Sequence, residues 1–348
     1  MEQISSRGVS MAAEIAEQPR ALQRLLDDGR DQIRAVAAVI AERRPRFVLI
    51  AGRGTSDHAA LYAKYLIETR LGLPVGLASP STLTVYRANP DFRDVLWLSV
   101  SQSGGSPDLV ESALSAHKCG ALTVALTNVV PSPLTAASEL GIAVLAGPET
   151  AVAATKSYTS ELLALYLLID SWAGGGGTTA DQIPEYAQQV LDRGDAARIA
   201  PHFRAIDRLV LTGRGFSYPA AREAALKLME TSYLAAHAFS SADLMHGPLA
   251  MIDAAHPVVA VVSHGAGGAA MVPALQRLAE RGAAVTIVGD WTSTPDAAHR
   301  IWLPNDVSES LSPVLQILPL QQLAWEMAIA RGYDPDAPRG LRKVTETL

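Results

Sequence analysis

Short apolar runs alternate along this chain with stretches of helical period. Residues 46–51, 75–78, 95–100, 121–126 and 142–145 are strand-length runs rich in Val, Leu, Ile and Ala, and the segments between them read as helices. Parallel strands need crossover connections, so this alternation predicts a parallel sheet covered by helices on both faces. Ahead of it, residues 11–42 carry one helical pattern, with Leu22, Leu25, Leu26, Ile33, Val36 and Ile40 at core-like spacing. Four consecutive glycines, Gly174 to Gly177, read as a flexible joint, with a connecting helix following to about residue 200.

The pattern then restarts. A strand at 208–212 runs into Gly213-Arg214-Gly215-Phe216-Ser217, which repeats Gly52-Arg53-Gly54-Thr55-Ser56. At the same offset, 258–262 falls on the strand at 95–100 and Val285 falls on Val124. This is an internal duplication, and it predicts two tandem doubly wound α/β domains. The divisions expected are a helical lead-in (1–34), a first domain (35–173), a linker and connecting helix (174–200), a second domain (201–330) and a tail (331–348).

Composition narrows the class. With 348 residues, 49% of them hydrophobic, there is enough chain for two cores. A net charge of −6 and a pI near 5.8 leave no basic footprint, so nucleic acid is not expected as a partner. Cys119 is the single cysteine, which excludes a disulfide framework and a cysteine zinc site. The polar N-terminus has no signal-peptide pattern and no apolar run approaches membrane-spanning length. A cytoplasmic protein without a membrane partner is expected.

The chemistry concentrates in two places. After the strand at 95–100 come Ser101-Gln102-Ser103-Gly104-Gly105-Ser106-Pro107-Asp108: hydroxyls, a carboxamide and two glycines ahead of a helix start. Such a loop suits a phosphate, and the absence of lysine argues against a Walker-type nucleotide site. An ordinary strand-to-helix turn would use the same residue types. The duplicate has Val262-Ser263-His264-Gly265-Ala266-Gly267 there, so one half kept the anion loop and the other did not. Gly52-Arg53-Gly54 lacks the third glycine of a dinucleotide fingerprint, which speaks against a Rossmann cofactor. In the second half, a helix at 219–234 sets Glu223, Lys227 and Glu230 on one face among Ala224, Ala225 and Leu228. A solvated Glu-Lys-Glu ladder would look the same; the apolar neighbours favour a partly buried face fit for proton transfer.

These motifs resemble a known family. Gly213-Arg214-Gly215, the run Ala221-Arg222-Glu223-Ala224-Ala225-Leu226-Lys227-Leu228-Met229-Glu230 and Leu244-Met245-His246-Gly247-Pro248-Leu249 are similar to the second sugar isomerase (SIS) domain of the glucosamine-6-phosphate synthase family. Glu14-Ile15-Ala16-Glu17-Gln18-Pro19 resembles its lead-in helix, residues 101–106 its sugar-phosphate loop, and Thr155-Lys156-Ser157-Tyr158-Thr159 a helix start. Pro338-Arg339-Gly340-Leu341-Arg342-Lys343-Val344-Thr345 resembles its closing tail.

The resemblance implies two flavodoxin-like SIS domains and a set of roles. Thr55, Ser101, Gln102, Ser103 and Ser106 would hold a sugar phosphate, with Ser56, Glu223 and Thr155 in support. Glu230 would move a proton between C1 and C2 of the open-chain sugar, and Lys227 would polarise a substrate hydroxyl. His246 would assist ring opening from a neighbouring subunit, implying a homodimer, and Lys343 would close over the site and could form an imine. No metal or cofactor is implied. Two departures, Gly105 for a glutamate and Ala154 for a serine, turn the likeness toward stand-alone SIS-type amino-sugar phosphate deaminases. The chain reaches the isomerase pattern within about 45 residues, with no N-terminal cysteine for a glutamine-hydrolysing domain. The expected reaction is glucosamine 6-phosphate plus water to fructose 6-phosphate plus ammonia. Isomerisation of another sugar phosphate, such as galactosamine 6-phosphate, and a non-catalytic sugar-phosphate sensor are the alternatives.

Overall fold

The computed structural model describes residues 7–289 and 297–343, so Val344 and Thr345 of the tail motif lie outside the described residues. The lead-in is not one helix. It comprises α1 (Val9–Ala16), α2 (Gln18–Arg24), a wide π turn (Leu25–Gly29) and α3 (Arg30–Arg43). Pro19 has no N–H to continue the ladder, and the Gln18 side-chain amide donates to the Ile15 carbonyl (3.1 Å). The chain also changes compact unit here: residues up to Pro19 pack with Thr150–Thr155 and Gln182–Leu341, whereas Arg20–Glu149, Lys156–Asp181, Arg342 and Lys343 form the other unit.

The unit that begins at Arg20 is the first α/β layer structure. Its order is β1 (Phe47–Ala51), α4 (Thr55–Arg70), β2 (Val75–Leu77), α5 (Pro80–Thr84), β3 (Val95–Ser101), α6 (Pro107–Lys118), β4 (Leu122–Thr127), α7 (Pro133–Ala136), β5 (Leu140–Ala143) and α8 (Lys156–Trp172). All strands are parallel, ordered β2-β1-β3-β4-β5. Trp97 centres the core on the α6 face, with Ala51, Leu109, Ala113, Ala125 and Leu134 around it. On the opposite face α3 and α4 pack on α8, whose residues from Lys156 to Ile169 are all buried. The run expected at 142–145 begins two residues earlier, and the chain turns away at Leu145, which has φ 53°. The glycine run after α8 is pinned rather than loose: the N–H groups of Gly175 and Gly177 donate to the carbonyl and carboxylate of Asp170 (2.7 and 2.8 Å).

The second unit continues with α9 (Ile183–Asp192), α10 (Asp195–Ile199), β6 (Arg208–Gly213), α11 (Ser217–Ser232), β7 (Ala235–Ser240), α12 (Ser241–Met245), β8 (Val258–Val262), α13 (Ala266–Ala269), α14 (Val272–Glu280), β9 (Val285–Gly289), β10 (His299–Ile301) and α15 (Ser312–Ala330). Its strand order, β7-β6-β8-β9-β10, is that of the first sheet. The duplication holds at residue level. Val48 pairs with Val75 and Leu49 with Trp97; at the same offset Leu209 pairs with Ala236 and Val210 with Val258. One slip occurs: Trp97 faces Thr123 but Val258 faces Val285, so Val285 matches Thr123 and not Val124. In each sheet the order reverses beside the first strand, and ligands of such sheets bind at the carboxyl ends of the strands flanking that reversal. Among the described residues no helix is long and apolar enough to cross a membrane.

Candidate active site

In the first unit the reversal lies between β1 and β3, and both connections there carry the predicted phosphate residues. Thr55 is the first residue of α4 and half-buried; Ser101 ends β3 and is buried; Gln102, Ser103 and Ser106 are partly exposed. The loop is braced from within. The Ser101 and Ser103 hydroxyl oxygens accept the N–H groups of Gly104 and Gly105 (3.2 Å each), which fixes both side chains on the loop. From outside, the Gln102 carbonyl accepts the Asn128 N–H (3.1 Å), and the Gly104 carbonyl accepts that of Leu134 (2.9 Å). Gly104 needs to be glycine, since its φ is +61° and an added Cβ would run into the Ser132 hydroxyl. Gly105 does not: the nearest atom to an added Cβ is Ser103 Oγ at 3.8 Å. Ser106 stands at the N-cap of α6 in extended conformation without capping it, leaving its hydroxyl available at the positive end of the helix.

Asp108, in the first turn of that helix, would repel an anion. It is buried, accepts the Thr84 hydroxyl (2.9 Å) and is ion-paired with Arg53. Arg53 therefore neutralises a carboxylate beside the loop, a contact the motif reading passed over; its place in the repeated Gly-Arg-Gly turn was the available signal. Ser56 turns the other way and donates to Glu161 on α8 (3.0 Å), inside the core. Lys343 belongs to this unit and lies 2.8 Å from the carboxylate of Glu149.

In the second unit α11 packs on β6, β7 and α15. Spacing of four and three residues puts Glu223, Lys227 and Glu230 on one face, and burial is deeper than expected. The side chains of Glu223 and Lys227 are 0% and 1% exposed, whereas Glu230 is 21% exposed. Lys227 Nζ lies 2.5 Å from Glu230 Oε2 and 3.4 Å from Glu223 Oε1. Burial alone would lower the lysine pKa, but the two carboxylates outweigh it and raise the pKa above its ordinary value. The raised value means that this ion-paired lysine stabilises the fold fully below the usual lysine pKa, and the contribution fades only as pH rises through the folded-state pKa. Lys227 is thus an ammonium at neutral pH, able to donate and polarise but not to act as base. Glu230, which alone of the three meets solvent, is the carboxylate a ligand can reach. His246 caps α12, and its ring is exposed and bonded to no described residue. Thr155 is buried in this unit, its carbonyl accepting the Gln321 amide (3.2 Å). No group of three potential metal ligands occurs among the described residues.

Two copies of one domain profile cover these two units. The profile described as "SIS domain" matches residues 43–171 and again 202–331. The chain belongs to the SIS domain family. The glutamine–fructose-6-phosphate aminotransferase [isomerizing] of Thermococcus kodakarensis is 35% identical over 346 residues, which covers 96% of this chain and 57% of that protein. This chain spans a little over half the length of the curated relatives it matches. Among solved structures, one from Silicibacter pomeroyi, provisionally assigned as a phosphosugar isomerase, superposes with a TM-score of 0.87 and 36% identity, covering 94% of this chain and 99% of that one. The C-terminal domain of glucosamine-fructose-6-phosphate aminotransferase from Francisella tularensis gives a TM-score of 0.82 at 28% identity, covering 97% and 100%.

The corresponding loop of the second SIS domain is completed from within the chain. It has lost the hydroxyl-rich sequence but keeps the cradle, and the cradle holds a carboxylate of the chain itself. Glu309 Oε1 accepts the Ser263 hydroxyl and the Gly267 N–H (2.7 Å each), and Oε2 accepts the Ala266 N–H (3.1 Å). A Cβ on Gly265 or Gly267 would strike that carboxylate.

Proposed function

We propose that the chain is a sugar-phosphate isomerase that releases the amino group of glucosamine 6-phosphate, giving fructose 6-phosphate and ammonia. The observation that carries this reading is the Lys227 ammonium held between Glu223 and Glu230, with Glu230 reaching solvent. In this reading the first SIS domain holds the phosphate through Thr55, Ser101, Gln102, Ser103 and Ser106. Glu230 removes the C2 proton of the open-chain aldehyde and delivers it to C1, while Lys227 steadies the oxygen on C1 through the enol. The C2 imine that results adds water and splits into the ketone and ammonia, so no redox partner enters the balance. His246 assists ring opening, and its exposed ring suits a role completed in a neighbouring subunit of a homodimer. Lys343 brings a primary amine that can form an imine with the ketose. Gly105, in the form of loop found in SIS-type deaminases, supports deamination over the synthetic direction.

The test is to incubate purified protein with glucosamine 6-phosphate and measure ammonia and fructose 6-phosphate together. Equimolar release of both is the expected result. Exchange of the C2 proton with solvent but no ammonia, from either glucosamine or galactosamine 6-phosphate, would replace the deaminase with an isomerase of another substrate. Binding without exchange would leave a sugar-phosphate sensor.

A further inference from the structure

A lysine near the C-terminus of a chain needs something to hold it in one place. Lys343 Nζ lies 2.8 Å from Glu149 Oε2, and the two side chains are 24% and 0% exposed. The carboxylate is itself fixed. Its Oε1 accepts the backbone N–H of Ser157 (3.0 Å) and its Oε2 the Ser157 hydroxyl (2.7 Å). Ser157 lies in the first turn of α8, so Glu149 sits against the positive end of a 17-residue helix that is buried almost throughout. These donors and the helix dipole place the anion, and a buried carboxylate is stabilised further by a cation it can bond. Lys343 is such a cation, 194 residues away along the chain.

We propose that Glu149 is the positioning residue for Lys343: a carboxylate built into the start of α8 that draws in the tail and sets where its amine stands. This rests on the reading above in that Lys343 acts on the sugar phosphate. Glu149 touches no reacting atom in it; its effect passes through the lysine. The sequence marks it only as a glutamate in the connection before α8.

Glu149→Gln keeps the shape and the ability to accept from Ser157 while removing the charge. It should lower kcat for ammonia release about 10- to 100-fold, the range of coupled neighbours, and leave KM for glucosamine 6-phosphate within about twofold. In a Lys343→Ala background the same substitution should change kcat less than about twofold, because the partner it acts through is gone. Glu149→Asp, which retains the charge one methylene back, should recover part of the loss. A readout independent of activity is tryptic cleavage after Lys343, followed by mass spectrometry, which should be several-fold faster in Glu149→Gln than in wild type. Equal cleavage rates, or an equal loss of kcat with and without Lys343, would overturn the proposal and reduce Glu149 to a cap of α8. Faster cleavage in a protein that releases no ammonia would sink the deaminase reading and leave the clasp standing.

Discussion

The two SIS domains carry a loop at the same place, after the equivalent strand of equivalent sheets, and they complete it differently. After β3, the hydroxyls of Ser101 and Ser103 engage the loop's own amides, and Gly104 is fixed against Ser132. After β8, the amides of Ala266 and Gly267 and the hydroxyl of Ser263 converge on Glu309. In the reading proposed above, one copy takes an anion from outside the chain; the other holds an anion from within it. The asymmetry extends to the helices that follow the first strands. α4 spends its early polar side chain, Ser56, on a core contact with Glu161, whereas α11 lines up Glu223, Lys227 and Glu230 on one face. In that reading, a few side chains divide binding from chemistry between two equal scaffolds.

The largest effect expected separates those two tasks. Glu230→Gln should lower kcat about 10²- to 10⁴-fold with KM nearly unchanged, and solvent exchange of the C2 proton should vanish with it. Glu223, fully buried behind Lys227, should matter for holding the lysine and not for the proton; exchange that survives in Glu230→Gln but dies in Glu223→Gln would reverse the assignment.

Next, Ser101→Ala combined with Ser103→Ala should raise KM while the fold is kept. Each hydrogen bond to a charged oxygen contributes about 1.5–3 kcal/mol. Ser263→Ala in the other domain should leave KM alone. If all three serines behave alike in steady-state kinetics, the division between the loops is wrong.

The second loop can be tested through stability. Glu309→Ala leaves two amides and a hydroxyl without their acceptor and should lower unfolding stability by about 1–2 kcal/mol in denaturant titration. Saturating phosphate should restore part of it if the cradle retains its shape. An unchanged midpoint would mean that the carboxylate contributes nothing there.

The smallest contrast concerns adjacent glycines. Gly104→Ala forces a side chain into a left-handed conformation against Ser132 and should be destabilised by about 1–3 kcal/mol. Gly105→Ala, with room for its methyl, should stay within about 0.5 kcal/mol of wild type. Any rise in KM for the second variant would then report lost room for substrate and not a damaged loop.

What the sequence determined by itself was local and periodic. Runs of buried β-branched and aliphatic residues declared the strands, and the repeated Gly-Arg-Gly turn declared the duplication. The hydroxyl-rich loop, and the spacing that stacks Glu223, Lys227 and Glu230, are likewise set by near neighbours. Pro19 is visible too, but the reading of one helix over 11–42 rests on apolar spacing alone and takes no account of it. Only the tertiary structure decided which polar residues answer one another at long range. Glu309 reaches back 46 residues to Ser263, Ser56 finds Glu161 across 105, and Glu149 meets Lys343 across 194. A glutamate in a connecting segment reads the same whether water or a buried amide receives its charge. The slip that sets Val285 on Thr123 was equally hidden, because strand register is fixed by pairing with a neighbouring strand and not by the strand's own residues.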